Sequence, residues 1–211
     1  ADFDQIRAES EPVEVSIHTP EAPLPHLRRL AVTQGNIPSD VADTFAALTD
    51  RDGLQVRLGL HHEVRLFAAD EAVIEEAVDR LPSEWADGPT IVACPGVRWC
   101  SRGLVDSQAM ARRLRDDLST TPSKAWIAIS GCPNGCAHSA VADVGLTGRI
   151  DRAGGEQRDA YRVVADGNAS RTPRLAALLH EKALAKDIPD IVRARISGTQ
   201  ESRNEYPKPD R

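Results

Sequence analysis

Four cysteines carry the clearest chemical signal in this chain: Cys94, Cys100, Cys132 and Cys136, spaced C-x5-C and C-x3-C. Each pair follows a short apolar run, Thr90–Ala93 or Ala125–Ser130, that reads as a buried strand. The loops that follow are rich in small and turn-forming residues: Pro95 and Gly96 in the first, Gly131, Pro133, Asn134 and Gly135 in the second. Such residues let the backbone close around a bulky metal centre and aim N–H groups at sulfur. Four thiolates in compact loops are what an iron–sulfur cluster requires. Structural zinc also takes four cysteines, usually at tighter spacing. Disulfides need an oxidising compartment to which nothing in the sequence points. Unrelated buried cysteines seldom share two Gly/Pro loops at strand ends. Spacing alone leaves these alternatives open.

Arginines crowd the same region. Between residues 94 and 115, Arg98, Arg102, Arg112, Arg113 and Arg115 face only Asp106. The formal net charge of −6 divides into −11 over residues 1–93 and +5 over 94–211. An acidic protein lacks the broad basic surface that nucleic acid needs, so nucleic acid is not an expected partner. A local arginine cluster suits a smaller anion. For Arg112, Arg113 and Arg115 taken alone, a solvated helix face is the ordinary explanation.

The elements that must position these residues come from a chain of 211 residues, 41% hydrophobic and 27% charged. That is enough for one ample core or two small domains without disulfides. With 4% aromatic residues, 14 Gly and 14 Pro, the composition excludes collagenous, Pro-rich disordered and coiled-coil classes. No apolar run is long enough to span a bilayer, and Ala1–Ser10 is acidic, unlike a signal sequence. A soluble, cytoplasmic protein without a membrane partner is expected.

Residues 1–12 read as a lead-in, Val13–His18 as a strand, and Pro20, Pro23 and Pro25 as a loop. Leu27–Thr33 is a second short strand, and Pro38 and Ser39 open an amphipathic helix through Val41, Phe45, Ala46 and Leu48. Asp52–Gly53 turns into Leu54–Leu60, Glu63–Phe67 stays extended, and Asp70 caps a helix that ends near Leu81–Pro82. A compact α/β sandwich over 13–85 follows. In the second half, Leu104–Leu118 has helical periodicity, with Leu104, Met110, Ala111 and Leu114 as core candidates. Val141–Leu146 and Tyr161–Ala165 are further strands, Pro173 starts a helix through Leu175, Leu178 and Leu179, and Ile188–Ile196 forms the last helix. Residues 86–197 form this second domain and 198–211 a tail.

The wording around the cysteines adds a resemblance. ACPGVRWCSRGLVDS (Ala93–Ser107) and ISGCPNGCAHSAVADVGLTG (Ile129–Gly148) resemble the nitrite/sulfite reductase family. Upstream, QVRLGLHHEVRL (Gln55–Leu66) looks like that family's ferredoxin-like segment, and Tyr161–Gly167 with the following helix looks like its closing elements. The resemblance implies an α+β fold, a ferredoxin-like sandwich followed by a sirohaem and 4Fe–4S-binding α/β domain. It implies that Cys94, Cys100, Cys132 and Cys136 hold the cluster and that Cys136 also reaches the sirohaem iron. Electrons would pass from cluster to haem iron and reduce sulfite or nitrite. The surrounding Arg57, Arg98 and Arg102, then Arg65 and Asn134, are the candidates for the cofactor's carboxylates. Lys124, Arg57 and His61 are the candidates at the substrate.

Two departures from the family pattern stand out. Where its threonine–arginine–glutamine stretch places an arginine, this chain has His61 within Leu60–His61–His62, and where its K-x-K pair has a second lysine, this chain has Trp126 after Lys124. His61 would supply a titratable proton donor in place of a fixed charge; otherwise His61 and His62 are a strand pair, one buried and one exposed. The full-length family enzymes contain two such units, so a second unit or a second copy is an expected partner, besides a low-potential electron donor such as ferredoxin or a reductase subunit. The GCAH wording (Gly135–His138) also resembles precorrin-3B synthase, a tetrapyrrole oxygenase. A non-catalytic electron-transfer or assembly subunit is the third alternative, which His61 and Trp126 favour.

Overall fold

The computed structural model describes residues 24–197, apart from 33–34, 51–52, 60, 86–87, 120 and 170–172. The lead-in over 1–12, the strand expected at Val13–His18 and the tail over 198–211 therefore lie outside the described residues.

The first half forms a three-stranded antiparallel sheet from β1 (His26–Ala31), β2 (Leu54–Gly59) and β3 (Glu63–Ala68), in the order β1-β3-β2. Helices α1 (Ser39–Thr49) and α2 (Glu71–Val78) pack on it. Asp70 starts α2 by accepting the N–H of Ala72 at 2.9 Å. The period-2 alternation of the strands turns Leu30, Leu54, Val64, Leu66 and Ala68 toward Phe45, Leu48, Ile74 and Ala77. Phe45 also stacks on Trp85, with ring centroids 6.2 Å apart. Each fully buried aliphatic side chain contributes roughly 1.5–3 kcal/mol.

The second half forms a five-stranded sheet from β4 (Thr90–Ala93), β5 (Trp126–Ser130), β6 (Val144–Asp151), β7 (Arg158–Ala165) and β8 (Ala177–Leu184). The strands lie in sequence order. β4 pairs with β5 and β5 with β6 in parallel, whereas β6–β7 and β7–β8 are antiparallel. Helix α3 (Ser107–Leu118) makes the crossover between β4 and β5, and α4 (Ile188–Ser197) follows β8. Both cover one face, where Met110, Ala111, Leu114, Leu118, Ile188, Val192 and Ile196 meet Ile91, Ile127, Ile129, Val144 and Leu146.

Three local expectations change. α3 begins at Ser107, because the Asp106 carboxylate accepts the Ala109 N–H at 2.9 Å; Leu104 precedes it and is 41% exposed rather than core. Val141 ends a 3₁₀ turn over Ser139–Val141, and the strand starts at Val144. The helix expected from Pro173 is instead β8, hydrogen-bonded along β7. Leu175, Leu178 and Leu179 have helical spacing, but a short apolar run fits either period, and the open edge of β7 supplies backbone partners for a strand. No helix among the described residues is long and apolar enough to cross a membrane.

The outer strands are tied by one acid. Asp151 is buried at the end of β6, where it accepts from Arg158 on β7 and pairs with Lys182 Nζ on β8 at 2.7 Å. These two partners hold its carboxyl down at about 2. The native state therefore binds its proton less readily than the unfolded chain does. The contribution is fully present above pH 4 and is lost as the pH falls through about 2. Denaturant midpoints measured at pH 5 and pH 2.5 should fall with acid in the parent chain, and fall less in Asp151→Asn.

Candidate functional site

The parallel register aligns Ala93 with Ile129, so β4 and β5 end together and deliver both cysteine loops to one sheet edge. Ligands collect at such carboxyl ends of parallel strands. Backbone bonds lock the loops to each other: Cys94 N–H donates to Ile129 O at 3.0 Å, and Leu104 and Val105 N–H both donate to Gly131 O at 2.9 and 3.2 Å. In return, Gly131 N–H donates to Cys94 Sγ at 3.0 Å. Cys100 N–H closes its own loop onto Gly96 O at 2.9 Å. Cys132 is buried, Cys94 and Cys100 are half-buried, Cys136 is exposed, and all are free thiols. Behind the second loop, Ser130 Oγ accepts the Ala137 N–H at 3.2 Å, and Ser139 Oγ lies 3.1 Å from Thr147 Oγ1.

The first sheet presents a second feature on the face away from its helices. Strand register sets Arg29, Arg65 and Arg57 directly opposite one another across β1, β3 and β2. One row along, the buried Glu63 accepts from Arg29 Nε at 2.7 Å and from Arg65 Nε at 2.8 Å. Arg57 donates to Gln55 Oε1 at 2.8 Å and lies 5.1 Å from the centre of the Phe67 ring. Like charges opposite each other across strands are unfavourable. Among the described residues Glu63 is bonded to Arg29 and Arg65 and not to Arg57, so the row keeps a surplus of positive charge that an anion would relieve.

The two sheets meet at the β2–β3 turn. His61 and His62 both adopt left-handed conformations there, with φ of 63° and 57°, so they are not the strand pair that alternation suggested. His61 stacks on Trp126, with centroids 4.0 Å apart and planes at 28°. Trp126 packs beside Val92, Cys94, Ala128, Ala137 and Ala142, on the face of the second sheet opposite its helices. Burial pulls both histidines below the usual imidazole range. Arg29, His138 and Arg65 reinforce this at His61, against the pull of Glu63. Both imidazoles are therefore neutral at pH 7, and His61 supplies a neutral ring, not a cation, at its position. Trp126 Nε1 and His62 Nδ1 are buried with no hydrogen-bond partner among the described residues.

The other expected residues divide. Arg57 and Arg65 share the arginine row, with Arg65 committed to Glu63. Arg98 is exposed and pairs with Asp106 at 3.3 Å, tethering its loop to the start of α3. Arg102 and Asn134 are exposed on the two cysteine loops, and Lys124 is exposed on the approach to β5. Arg29, Glu63, Ser107 and Gln108 join the site only through the fold. Their signal was present only for Glu63, which shares the outward parity of Arg65 along β3.

These donors fit the implied cofactors. Among the described residues, no three His, Cys, Asp or Glu side chains converge tightly enough to hold a single metal ion. A backbone N–H already aimed at Cys94 Sγ suits a metal-bound thiolate. The arginine row and the unpartnered indole N–H suit a polycarboxylate macrocycle. The cysteine edge has no slack behind it: a Cβ on Gly148 would come within 2.4 Å of Gly131 O. Gly148→Ala should cost about 1–3 kcal/mol, read as a lower denaturant midpoint.

Known proteins resemble this chain in sequence and fold. The chain is 36% identical over 117 residues to the coenzyme F420-dependent sulfite reductase of Methanocaldococcus jannaschii, covering 52% of this chain and 18% of that protein. It is 26% identical over 182 residues to the assimilatory ferredoxin-dependent nitrite reductase of Haloferax mediterranei, covering 79% of this chain and 31% of that one. Among solved structures, Mycobacterium tuberculosis NirA matches with a TM-score of 0.63 at 20% identity, over 86% of this chain and 36% of that chain. Dissimilatory sulfite reductase I matches with a TM-score of 0.60 at 16% identity, over 80% of this chain and 60% of that chain. The α+β fold is thus that of these reductases. The chain spans between 18% and 34% of the length of the curated relatives it matches. Residues 84–206 match the family described as the nitrite and sulphite reductase 4Fe-4S domain, a family whose cofactors are a 4Fe–4S cluster and sirohaem. With more than half its length in that match, the chain belongs to the nitrite and sulfite reductase family.

Proposed function

We propose that this chain is the catalytic unit of a cytoplasmic sulfite or nitrite reductase and binds both a 4Fe–4S cluster and sirohaem. The observation that carries this is the Arg29–Arg65–Arg57 row, served by one buried carboxylate and tied to the cysteine-bearing sheet through His61 and Trp126. The division into a ferredoxin-like unit over 13–85 and a cofactor-binding unit over 86–197 belongs to the same proposal; two separate hydrophobic cores support it.

When bound, the cluster and sirohaem supply the electrons and the iron at which a small oxyanion is reduced. The protein's own residues do the rest. Cys94, Cys100, Cys132 and Cys136 hold the cluster, and the exposed Cys136 is the thiolate free to serve a second metal. Arg57, Arg65 and Arg29, with Arg102, Arg98 and Asn134 on the loops, neutralise and orient the macrocycle's carboxylates. Lys124 supplies a fixed positive charge to the oxyanion. His61, neutral at pH 7, can donate a ring N–H hydrogen bond to the bound oxyanion; it delivers a proton only after taking one up at its other nitrogen.

The electron donor docks on the loop around Cys100, where Val97, Trp99 and Leu104 are exposed beside Arg98 and Arg102. An exposed tryptophan flanked by arginines suits an acidic protein surface. Relatives named as ferredoxin-dependent and as F420-dependent are consistent with a low-potential donor, either a ferredoxin or a reductase subunit. Trp99→Ala should raise KM for a protein donor severalfold and leave the rate with a small viologen dye unchanged.

A second assignment, an electron-transfer subunit without turnover, is favoured by one observation: His61 and Trp126 stack on each other at the two positions where the family pattern has cations. Reduced viologen with sulfite or nitrite decides between them. The loaded chain should turn over, and Lys124→Ala should lower kcat/KM by about 100-fold. A fully loaded chain that reduces neither anion is the subunit instead.

A further inference from the structure

Ser107, the first residue of α3, is fully buried, and the proposed cluster chemistry gives it no task. Its Oγ donates to Cys94 O at 2.7 Å and lies 3.6 Å from Cys94 Sγ. The neighbouring Gln108 donates from Nε2 to the same Cys94 carbonyl at 3.0 Å, and to Ala93 O at 3.1 Å. A carbonyl oxygen has two lone pairs, so Cys94 O is served twice. The Ser107 hydroxyl can leave it without stranding a buried acceptor.

We propose that Ser107 is a positioning residue that tunes the reduction potential of the cluster, by turning its hydroxyl from the Cys94 carbonyl to the Cys94 thiolate. This rests on the assignment of Cys94 as a cluster ligand. As a free thiol, Cys94 carries its own proton; as an iron-bound thiolate it is an acceptor only. The serine has a single proton to give, and rotation about Cβ–Oγ redirects it with no movement of heavy atoms. Gln108 then keeps the carbonyl satisfied, while Gly131 N–H remains the second donor to the same sulfur. The hydroxyl has little room to go elsewhere, since a Cβ on Gly96 would come within 2.4 Å of Ser107 Oγ. Reduction adds negative charge to the cluster and its sulfurs, so a donor aimed at one of them stabilises the reduced state and raises the potential. The geometry makes Gln108 a partner in this effect, because without it the carbonyl competes for the serine proton.

The test is an EPR-monitored redox titration of the full chain, loaded anaerobically with iron and sulfide, as parent, Ser107→Ala and Gln108→Leu, with iron and sulfide counted in each. Ser107→Ala should titrate at a more negative potential, and Gln108→Leu should shift the same way by less. Proton ENDOR should lose one exchangeable coupling in Ser107→Ala and show the same coupling weakened in Gln108→Leu. An unchanged potential or an unchanged set of exchangeable protons in loaded Ser107→Ala overturns the proposal. If that variant takes up no cluster, an unchanged potential in Gln108→Leu does so. A parent chain that binds no cluster overturns the ligand assignment itself, which is a different result.

Discussion

Everything in the candidate site depends on the parallel pairing of β4 with β5. Two cysteine pairs separated by a crossover helix reach one place only because Ala93 and Ile129 are partners in register, so that both strands stop at the same edge. A slip of one residue would turn Cys94 to the opposite face of the sheet. The pairing is held from both sides, by the aliphatic core beneath α3 and by the backbone bonds from Leu104 and Val105 to Gly131 O. The sulfur of Cys94 is then fixed against the backbone of the other loop before any metal arrives. Preorganisation of this kind would lower the cost of assembling the four thiolates in the proposed cluster site.

Charge makes the second half of the design. Three guanidiniums abreast on a small antiparallel sheet cost stability, and the buried Glu63 offsets only part of that cost. The acidic balance of residues 1–93 conceals this, since the excess of acids lies elsewhere. The histidine turn joins this basic face to the cysteine face. Its two left-handed residues carry local backbone strain at the junction of the two sheets, the kind of place where strain and function coincide. Neutral imidazoles there avoid adding charge to a surface already rich in arginine.

Much of this was legible in the sequence, and what was hidden has physical causes. Cysteine spacing, the apolar strands before each pair and the Asp70 cap are local patterns, and local patterns survive folding. The arginine row was half visible: Arg57 and Arg65 stood out, but Arg29 belongs to it only through strand register, which no local window contains. Glu63 escaped because an acid at a strand end reads as solvated until its partners are known. The β8 segment misled because Leu175, Leu178 and Leu179 fit a helix, while the decisive factor was the unfilled edge of β7. Ser107 and Gln108 were hidden in the same way; their partners lie on β4, across the crossover.

On the proposed function, one chain organises two joined redox groups, a cluster on four cysteines and a carboxylate-rich macrocycle against the arginine row. Anaerobically purified protein, assayed together for iron, acid-labile sulfide and tetrapyrrole with its visible absorption spectrum, tests it most directly. A cubane's complement of iron and sulfide and one tetrapyrrole per chain should be found, with the macrocycle's absorption bands sensitive to reduction of the cluster. Iron and sulfide without tetrapyrrole would contradict it.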